Sequence, residues 1–393
     1  MLVLYTAMKY NYGAKEQGYS FEHHNFYDTL LNLGHDILYF DFMTLMQERG
    51  RKWMNRRLLE VVKAEKPHLM FTVLFADELD RATVREISEN TDTITFNWFC
   101  DDHWRFDNYS RHWAPCFNWV ATTAASALPK YAKLGYRNVI KSQWACNHFL
   151  YRKMDLPLKY DVTFVGQPHG NRRQIIQALR HAGIDVQAWG GGWEAGRISQ
   201  DQMIEIFNQS RINLNLANAS VPTTIPKPWT KAGARRLASR SLNVVPFGQQ
   251  IRSAGKTWFA ATKPSSPAKV DATTAIDLNQ QYSEQIKGRN FEVPGCGGFM
   301  LTGQADNLED YYRFGKEVVC FDNVEDLIDK ARYYLSHEDE RDAIARAGYQ
   351  RTMGEHTYVH RFEEIFRNMG LPWKPNDKVM AGKGMPGRVE DVS

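Results

Sequence analysis

Short apolar segments alternate with amphipathic helical segments along most of the 393-residue chain. The first apolar segment, MLVLYTA, precedes a stretch in which Phe26, Leu30 and Leu33 recur at i, i+4 and i+7, the spacing of one helix face. Gly34 supplies a helix stop, and HDILYFDF is the next predicted strand. Strands that alternate with helices predict an α/β fold with a mostly parallel sheet covered on both faces.

A second series of the same kind follows a charged connector at residues 151–160. DVTFVG is a predicted strand, NRRQIIQALRHAG a predicted helix and IDVQAWG a further strand. We therefore predict two α/β halves of similar size with smaller segments attached. The predicted bounds are 1–155 and 156–355 for the halves, 221–286 for a basic insertion in the second half, 356–374 for a last helix and 375–393 for a flexible tail.

Positive charge is concentrated in one part of the chain. The formal net charge is only +4, which does not favour nucleic acid as a partner. Residues 221–290 nevertheless hold eleven Lys and Arg against three Asp and Glu, and such an excess suggests an anionic partner. The basic segment 227–240 is a candidate for contact with an anionic acceptor or a membrane surface, the alternative being a solvated helix face.

The cysteines and the apolar segments indicate a cellular compartment. Five cysteines are scattered without a C-x-x-C pair, so neither a disulfide framework nor a zinc site is indicated. The N-terminal apolar run lacks the basic flank of an export signal. No stretch approaches the roughly 18 to 20 apolar residues of a membrane helix. We therefore expect reduced thiols and a cytoplasmic location.

The segment KGRNFEVPGCGGFMLT combines two cations, a carboxylate and a glycine cluster. Its pattern predicts a strand-to-helix turn. Gly297 and Gly298 would let backbone N–H groups approach a phosphate, and Lys287 and Arg289 would neutralise it. Glu292 would accept hydrogen bonds from ribose hydroxyls. The segment therefore predicts a pocket for a nucleotide that carries a diphosphate.

A second cationic site is predicted at the start of the helix in FVGQPHGNRRQIIQAL. Arg172 and Arg173 fall on its first turn, which Asn171 can cap. A cation is mildly unfavourable there because of the helix dipole, and a bound anion would reverse that interaction. We therefore expect a phosphate between this turn and the GCGG turn. Two solvated arginines are the alternative.

The first half offers polar groups at WFCDDHWRF, after a predicted strand. Ligands of α/β sheets bind beyond the carboxyl ends of strands, so Asp101, Asp102 or His103 could act as general base or orient an acceptor hydroxyl. Ordinary loop carboxylates are the alternative, and the spacing does not match a metal-binding D-x-D. Gly13 and Gly18, in the first strand-to-helix loop, would let that loop approach the phosphates, as glycines do in any Rossmann-like turn.

From Asp161 to Arg361 the chain resembles the CgeB-type, spore-maturation-like branch of group 1 glycosyltransferases. The matching segments are DVTFVG…NRR, GGGW, SRINLNL, GRNFEVPGCGGFMLT, FGKEVVCFDNVEDLIDKARYYLSH, ERDAIARAGYQR and HTYVHRFEEIF. The resemblance implies the GT-B architecture, in which two Rossmann-like domains face each other across a cleft and the last helix crosses back to the first domain. It also implies a nucleotide-diphosphate sugar as donor substrate, held by the second domain, with no further cofactor and no metal.

The resemblance also implies roles for individual residues. In related retaining enzymes a cationic pair follows the first strand of the second domain, and here Arg173 falls on one position and Gln167 on the other. Of the family's two glutamates with seven residues between them, Glu292 matches the second and Glu284 stands at the position of the first, next to Gln285. Lys287 or Arg289 would supply compensating positive charge to the leaving diphosphate.

These observations together predict an enzyme that moves a hexose-type sugar from a nucleotide-diphosphate donor to an acceptor. The expected acceptor is a cell-surface glycan, its lipid-linked precursor or another anionic molecule. One alternative is a non-catalytic nucleotide- or sugar-binding protein that keeps the scaffold. Another is a transferase for modified bases in nucleic acid, which only the positive charge of residues 221–290 suggests.

Overall fold

The computed structural model describes residues 1–216, 285–373 and 387–392. The predicted insertion 221–286 lies outside the described residues except for its last two positions, and the basic segment 227–240 lies wholly outside them. The part of the predicted tail before residue 387 also lies outside. The bounds predicted for the two halves remain a prediction.

The first sheet forms the first lobe. Its strands are β1 Leu2–Thr6, β2 Asp36–Phe40, β3 Leu69–Thr72, β4 Ile94–Phe99, β5 Trp119–Thr122, β6 Val139–Lys141 and, from the C-terminus, β12 Val389–Asp391. Within the described residues these seven strands pair in parallel, in the order β12-β2-β1-β3-β4-β5-β6. Strand β3 is buried along its whole length, as expected for a parallel sheet covered on both faces.

Short helices surround this sheet. The α-helices are α1 Asp28–Asn32, α2 Phe42–Arg49, α3 Arg51–Glu65, α4 Arg81–Asn90, α5 Asp102–Arg105, α6 Arg111–Trp113 and α7 Leu128–Lys133. Single 3₁₀ turns occupy Asn11–Gly13, Lys15–Gln17, Ala114–Cys116 and Ala125–Ala127, and π turns occupy His23–Tyr27 and Phe106–Ser110. Phe26 and Leu30, on the predicted helix face, are fully buried.

The second sheet forms the second lobe. Its strands are β7 Tyr160–Val165, β8 Val186–Trp189, β9 Ser210–Asn215, β10 Met300–Gly303 and β11 Val319–Phe321, with a 3₁₀ turn at Leu308–Asp310. They pair in parallel in the order β11-β10-β9-β7-β8. The helices are α8 Arg172–His181, α9 Gln200–Gln209, α10 Arg289–Gly295, α11 Val324–Ser336, α12 Glu338–Glu355 and α13 Tyr358–Asn368. The predicted α/β fold with two parallel sheets is confirmed.

Helix α13 returns the chain to the first lobe. The Cys146 amide donates to the carbonyl oxygen of His356 at 2.9 Å, and the Tyr358 amide donates back to the carbonyl oxygen of Cys146 at 3.0 Å. The ring of Phe362 then meets that of Phe71, a β3 residue, edge to face with centroids 5.6 Å apart. The returning C-terminal helix is thus confirmed, and its apolar face completes the core of the first lobe.

The end of the chain corrects one expectation. Residues 387–392 belong to the predicted flexible tail, yet β12 pairs in parallel with β2 and extends the first sheet. Lys9 Nζ also lies 2.7 Å from a carboxylate oxygen of Asp391. The prediction failed because it counted apolar side chains, whereas an added edge strand is held by main-chain hydrogen bonds.

The glycine cluster corrects a second expectation. The segment predicted as a strand-to-helix turn runs in the opposite order, from helix α10 through Cys296–Phe299 into strand β10. The apolar letters FEVPG suggested a strand, but Phe291 and Val293 are core residues of a helix. Short buried apolar segments of this kind do not distinguish helix from strand by periodicity.

Candidate functional site

Two adjoining cavities lie where the strands of both lobes end. A larger cavity of about 480 Å³ and a smaller one of about 320 Å³ share Asn11, Tyr12 and Phe21 on their walls. Both cavities are lined by residues from both lobes. Most of these residues follow the carboxyl end of a strand, which is where open α/β sheets bind their ligands. We call the two cavities together the cleft.

The second-lobe wall of the larger cavity is built mainly from two loops. One follows β7 and contributes Gly166 and Gln167, and the other follows β8 and includes Gly190. Gly190 has a φ of 136°, and a Cβ added there would lie 2.4 Å from the carbonyl oxygen of Gly166. Only glycine therefore lets these loops approach so closely.

The first lobe closes the same cavity from the opposite side. Gly18 and Tyr19 lie on its wall, and Gly18 has a φ of 77° with open space where a side chain would be. Arg197 extends from the second lobe to the first, and its Nη1 donates to the carbonyl oxygen of Gln17 in the first lobe at 3.4 Å. The loop containing Gly18 thus faces the predicted donor side, whereas Gly13 packs against Met43 and lies on neither cavity wall.

Three cationic side chains lie on or directly behind the wall of the cleft. Lys287 lines the smaller cavity and Arg289 the larger one. Arg172 is buried and is held by the carbonyl oxygens of Gln167 and Leu216 at 2.9 and 2.7 Å. Burial lowers the pKa of Arg172 to about 10, and the charge of Arg289 contributes. Of the four predicted cations, Arg172, Lys287 and Arg289 thus lie at or behind the cleft wall, and their role in binding a ligand remains a prediction.

Lys287, like Arg172, is close to other positive charges and has a lowered pKa. Burial lowers its pKa to about 8, with the charge of Arg172 adding to this effect and Asp101 opposing it. Within the described residues, Lys287 has no carboxylate within ion-pair distance. A lysine held in this way favours the arrival of an anion, because the anion supplies the missing counter-charge.

Arg289 has a carboxylate partner of its own. Glu292, one helical turn later, is completely buried and forms an ion pair with it. Burial lowers the pKa of Arg289, but the charge of Glu292 outweighs this effect and the pKa is raised. Glu292 does not line either cavity. What the structure shows is a carboxylate that orients Arg289, so the predicted contact with ribose remains a prediction.

Of the three residues predicted to act on the acceptor substrate, one lies in the cleft and two lie outside it. Asp101 follows β4 and lines the smaller cavity. Asp102 is buried inside the first lobe, where its carboxylate accepts from the Tyr131 hydroxyl at 2.8 Å. The imidazole of His103 lies 3.6 Å from the Asp306 carboxylate and lines neither cavity.

The pKa shifts of the two residues outside the cleft also follow from burial. Burial raises the pKa of the Asp102 carboxyl, although hydrogen bonds to its carboxylate oppose this effect. Burial lowers the pKa of His103, against the charges of Asp306 and Asp101. Of the three predicted residues, Asp101 alone lines the cleft, and a role as general base remains a prediction.

Other predicted site residues lie away from the cations. Arg173 donates to the carbonyl oxygen of Gly192, and its guanidinium lies 5.1 Å from the ring centre of Trp193, outside both cavities. Gly297 and Gly298 precede β10 and so lie at the amino ends of the strands, whereas the cleft lies at the carboxyl ends. A Cβ on Gly298 would meet Asn213 and Phe207. The expectation of a phosphate between the Arg172–Arg173 turn and the GCGG turn is therefore wrong.

Several cleft residues were not predicted. Glu22 and Arg105 line the smaller cavity, and burial raises the pKa of Glu22. Tyr12 and Phe75, 43% and 37% exposed, also line it, with ring centroids 5.6 Å apart. Phe75, Arg105 and Gly190 follow closely on predicted strands. Applying the strand-end rule at every strand would therefore have found these three, whereas Glu22 carries no such signal.

Two features are absent from the described residues. No group of three or more His, Cys, Asp or Glu in that part of the chain is placed to hold a metal ion. Among the same residues, no helix has both the length and the apolar character required to cross a membrane. All five cysteines are described, and each is a free thiol.

Sequence comparisons identify relatives of the chain. A family model described as glycosyl transferase-like matches residues 171–235 and 235–367, which is half of the chain. The chain is also similar to the spore protein CgeB of Bacillus subtilis (strain 168), with 22% identity over 241 residues. That match covers 61% of this chain and 64% of the relative, so it spans less than two thirds of the relative's length.

Solved structures share the fold. HepE from Anabaena, in complex with UDP-glucose, is similar with a TM-score of 0.53 and 9% identity, covering 94% of this chain and 99% of that one. A sucrose-phosphate synthase from Thermosynechococcus elongatus gives a TM-score of 0.54 and 9% identity, covering 94% and 97%. These similarities show that the fold is that of the GT-B glycosyltransferases.

Proposed function

The chain belongs to the glycosyl transferase-like family, and we propose that it transfers a sugar from a nucleoside-diphosphate donor to an acceptor hydroxyl. One observation carries the proposal. Lys287 and Arg289, separated by a single glycine, line adjoining cavities with Arg172 buried behind them. Among the described residues, Glu292 forms an ion pair with Arg289 and no carboxylate lies within ion-pair distance of Lys287, so the charge of Lys287 is available to a ligand.

The charge suits the difficult step of glycosyl transfer. When the anomeric C–O bond breaks, its electron pair stays on the leaving diphosphate, which gains negative charge. Cations already fixed in a site with restricted water stabilise such developing charge more than flexible, solvated ones do. Lys287 and Arg289 would perform this function, and Glu292 would hold Arg289 in place.

The two cavities suggest an orientation for the substrates. A nucleoside would occupy the larger cavity, against the loops after β7 and β8. The diphosphate would lie at the cations, which places the sugar near the junction of the cavities. An acceptor hydroxyl in the smaller cavity would then face Asp101, which takes its proton as the new glycosidic bond forms.

The smaller cavity supports a carbohydrate-like acceptor. Aromatic side chains including Tyr12, Phe75 and Tyr109 stand on its wall beside Arg105 and Lys287. Aromatic faces pack against the apolar faces of sugar rings, and cations bind acidic groups. We therefore keep a cell-surface glycan or its lipid-linked, anionic precursor as the proposed acceptor, with a cytoplasmic enzyme that needs no metal.

A non-catalytic binding protein is the second candidate. The observation that favours it is the uncharged side chain of Gln167 on the wall of the larger cavity, at a position where the resemblance implies a cation. A base-modifying transferase depends on the charge excess of residues 221–290, most of which lie outside the described residues. A membrane contact depends on the basic segment 227–240, which lies wholly outside them.

One experiment separates these functions. The protein is screened for a rise in melting temperature with UDP, GDP, ADP and TDP, and then for release of nucleoside diphosphate from the corresponding sugar donors. A transferase releases product slowly without acceptor, whereas a binding protein only shifts its melting temperature. Lys287→Ala should abolish both responses, and Arg173→Ala is the matched control because Arg173 lies outside the cleft. Equal loss in both variants would refute the assignment of the cations.

A further inference from the structure

Gln285 reaches across the cleft to the proposed base. It comes from the second lobe, just before the cation pair, and its Nε2 donates to Asp101 Oδ1 of the first lobe at 3.2 Å. The side chain is 6% exposed and lines the smaller cavity. Among the described residues, its Oε1 is buried without a hydrogen-bond partner. A buried carboxamide with one half unsatisfied suggests that a ligand group completes the site.

We propose that Gln285 is a positioning residue for Asp101, an inference that rests on the proposed function. The carboxamide fixes one carboxylate oxygen, so the other oxygen stays available for the acceptor hydroxyl. Among the described residues no second hydrogen bond reaches this carboxylate. The buried Oε1 would accept a hydrogen bond from a hydroxyl of the bound sugar.

The neutral charge at position 285 is essential to this arrangement. A glutamate there would place two carboxylates at hydrogen-bond distance, and such a pair retains one shared proton. A base that shares a proton with its neighbour cannot take one from the acceptor. In this cross-cleft contact the negative charge therefore comes from Asp101 on the first lobe, and an amide on the second lobe accommodates it.

Several ionisable groups near Asp101 could contribute to the pH dependence of an experiment on this pair. Among the described residues, the titratable groups whose pKa values respond to the charge of Asp101 include Glu22, Cys100, Asp102, His103 and Lys287. None of these is changed by substitution at position 285. A shift that appears only when residue 285 gains a carboxyl group is therefore assigned to the new pair.

The pair itself is tested by melting temperature between about pH 5 and pH 8, without any substrate. Gln285→Glu should lose stability relative to the unchanged protein as the pH rises. The reason is that its folded-state pKa exceeds the unfolded value of about 4.3, so ionisation opposes folding in this range. The double variant Asp101→Asn with Gln285→Glu again pairs an amide with a carboxylate, now with the amide at 101 and the carboxylate at 285. It should recover most of the lost melting temperature.

A matched control comes from another amide–carboxylate pair. Gln304 donates to Asp322 on the surface, outside both cavities. In Gln304→Glu the two charges are screened by water, so the pH-dependent loss should be much smaller. If the double variant were no more stable than Gln285→Glu, or if Gln304→Glu lost as much stability, the pair would be refuted.

The positioning role is tested by hydrolysis of UDP-glucose and of GDP-, ADP- and TDP-linked glucose across the same pH range. In Gln285→Glu the acidic limb of the rate profile should move up by about 1 to 2 pH units. Gln285→Ala should lower kcat about tenfold with little change in donor KM, the behaviour of a group that acts in the transition state. Gln304→Glu should keep both values.

The outcomes distinguish this inference from the proposed function. Wild-type hydrolysis with superimposable profiles for Gln285→Glu refutes the positioning role and leaves the transferase intact. Absence of hydrolysis with every donor refutes the transferase and, with it, the positioning role. The melting experiment decides on the cross-cleft pair in either case.

Discussion

Lys287 should make the affinity for a nucleoside diphosphate depend on pH in a range where the ligand itself does not titrate. Its ammonium has a pKa of about 8 in the free protein because of burial and the nearby Arg172, against the opposing charge of Asp101. A bound diphosphate favours the charged form and raises that pKa. Affinity should therefore be constant below pH 8 and fall as the pH rises above it.

The size of the effect follows from the fraction of charged lysine. That fraction is about 0.9 at pH 7 and about 0.1 at pH 9, so the dissociation constant should rise about tenfold, or about 1.4 kcal/mol. Phosphate groups with a pKa near 6 are already ionised throughout this range.

Isothermal titration of UDP, or of the diphosphate that gives the largest thermal shift, measures this change. Lys287→Arg keeps a positive charge at every pH in the range, so its affinity should no longer vary. Arg173→Lys serves as control, since Arg173 lies outside both cavities. An equal slope in Lys287→Arg and the unchanged protein would refute the placement of the diphosphate at Lys287.

Lys287→Met should raise the melting temperature while it abolishes diphosphate binding, because a lysine with a lowered folded-state pKa destabilises the fold below about pH 8. The increase in the free energy of unfolding should be about 1 to 3 kcal/mol at pH 7 and should vanish by about pH 10.5. Gly190→Ala should eliminate nucleotide binding because its Cβ would meet the Gly166 carbonyl, whereas Gly196→Ala, which also has a positive φ but open space around it, should bind nearly normally. EDTA should leave donor hydrolysis unchanged, and a loss restored by Mg²⁺ would contradict the metal-independent mechanism. Removal of residues 387–393 should lower the melting temperature, because it exposes the edge of β2; an unchanged melting temperature would show that β12 adds no stability.

The fold could be predicted from the sequence because its strongest signal is repetitive. Alternating strands and helices specify parallel sheets, and the returning last helix followed from the resemblance. Prediction failed where a segment is short and wholly apolar, as in α10, since burial on all sides removes the periodicity that distinguishes helix from strand. It failed again at β12, where main-chain pairing rather than apolar content holds the strand.

The site could be predicted only in part, because side-chain direction is a tertiary property. The resemblance placed Arg173 at a cationic position for the diphosphate, whereas the structure shows that its neighbour Arg172 is the one buried near the other cations. The same reason separates Asp101, in the cleft, from its neighbour Asp102, in the core. Contacts across the cleft, such as Gln285 with Asp101, join residues 184 positions apart.

A crystal structure of the protein with a bound nucleoside diphosphate tests the central claim most directly. We predict phosphate oxygens within hydrogen-bond distance of Lys287 Nζ and the Arg289 guanidinium, with the nucleoside in the larger cavity. A diphosphate bound instead beside Arg173 or the Gly297–Gly298 turn, with the cleft cations uncovered, would contradict it.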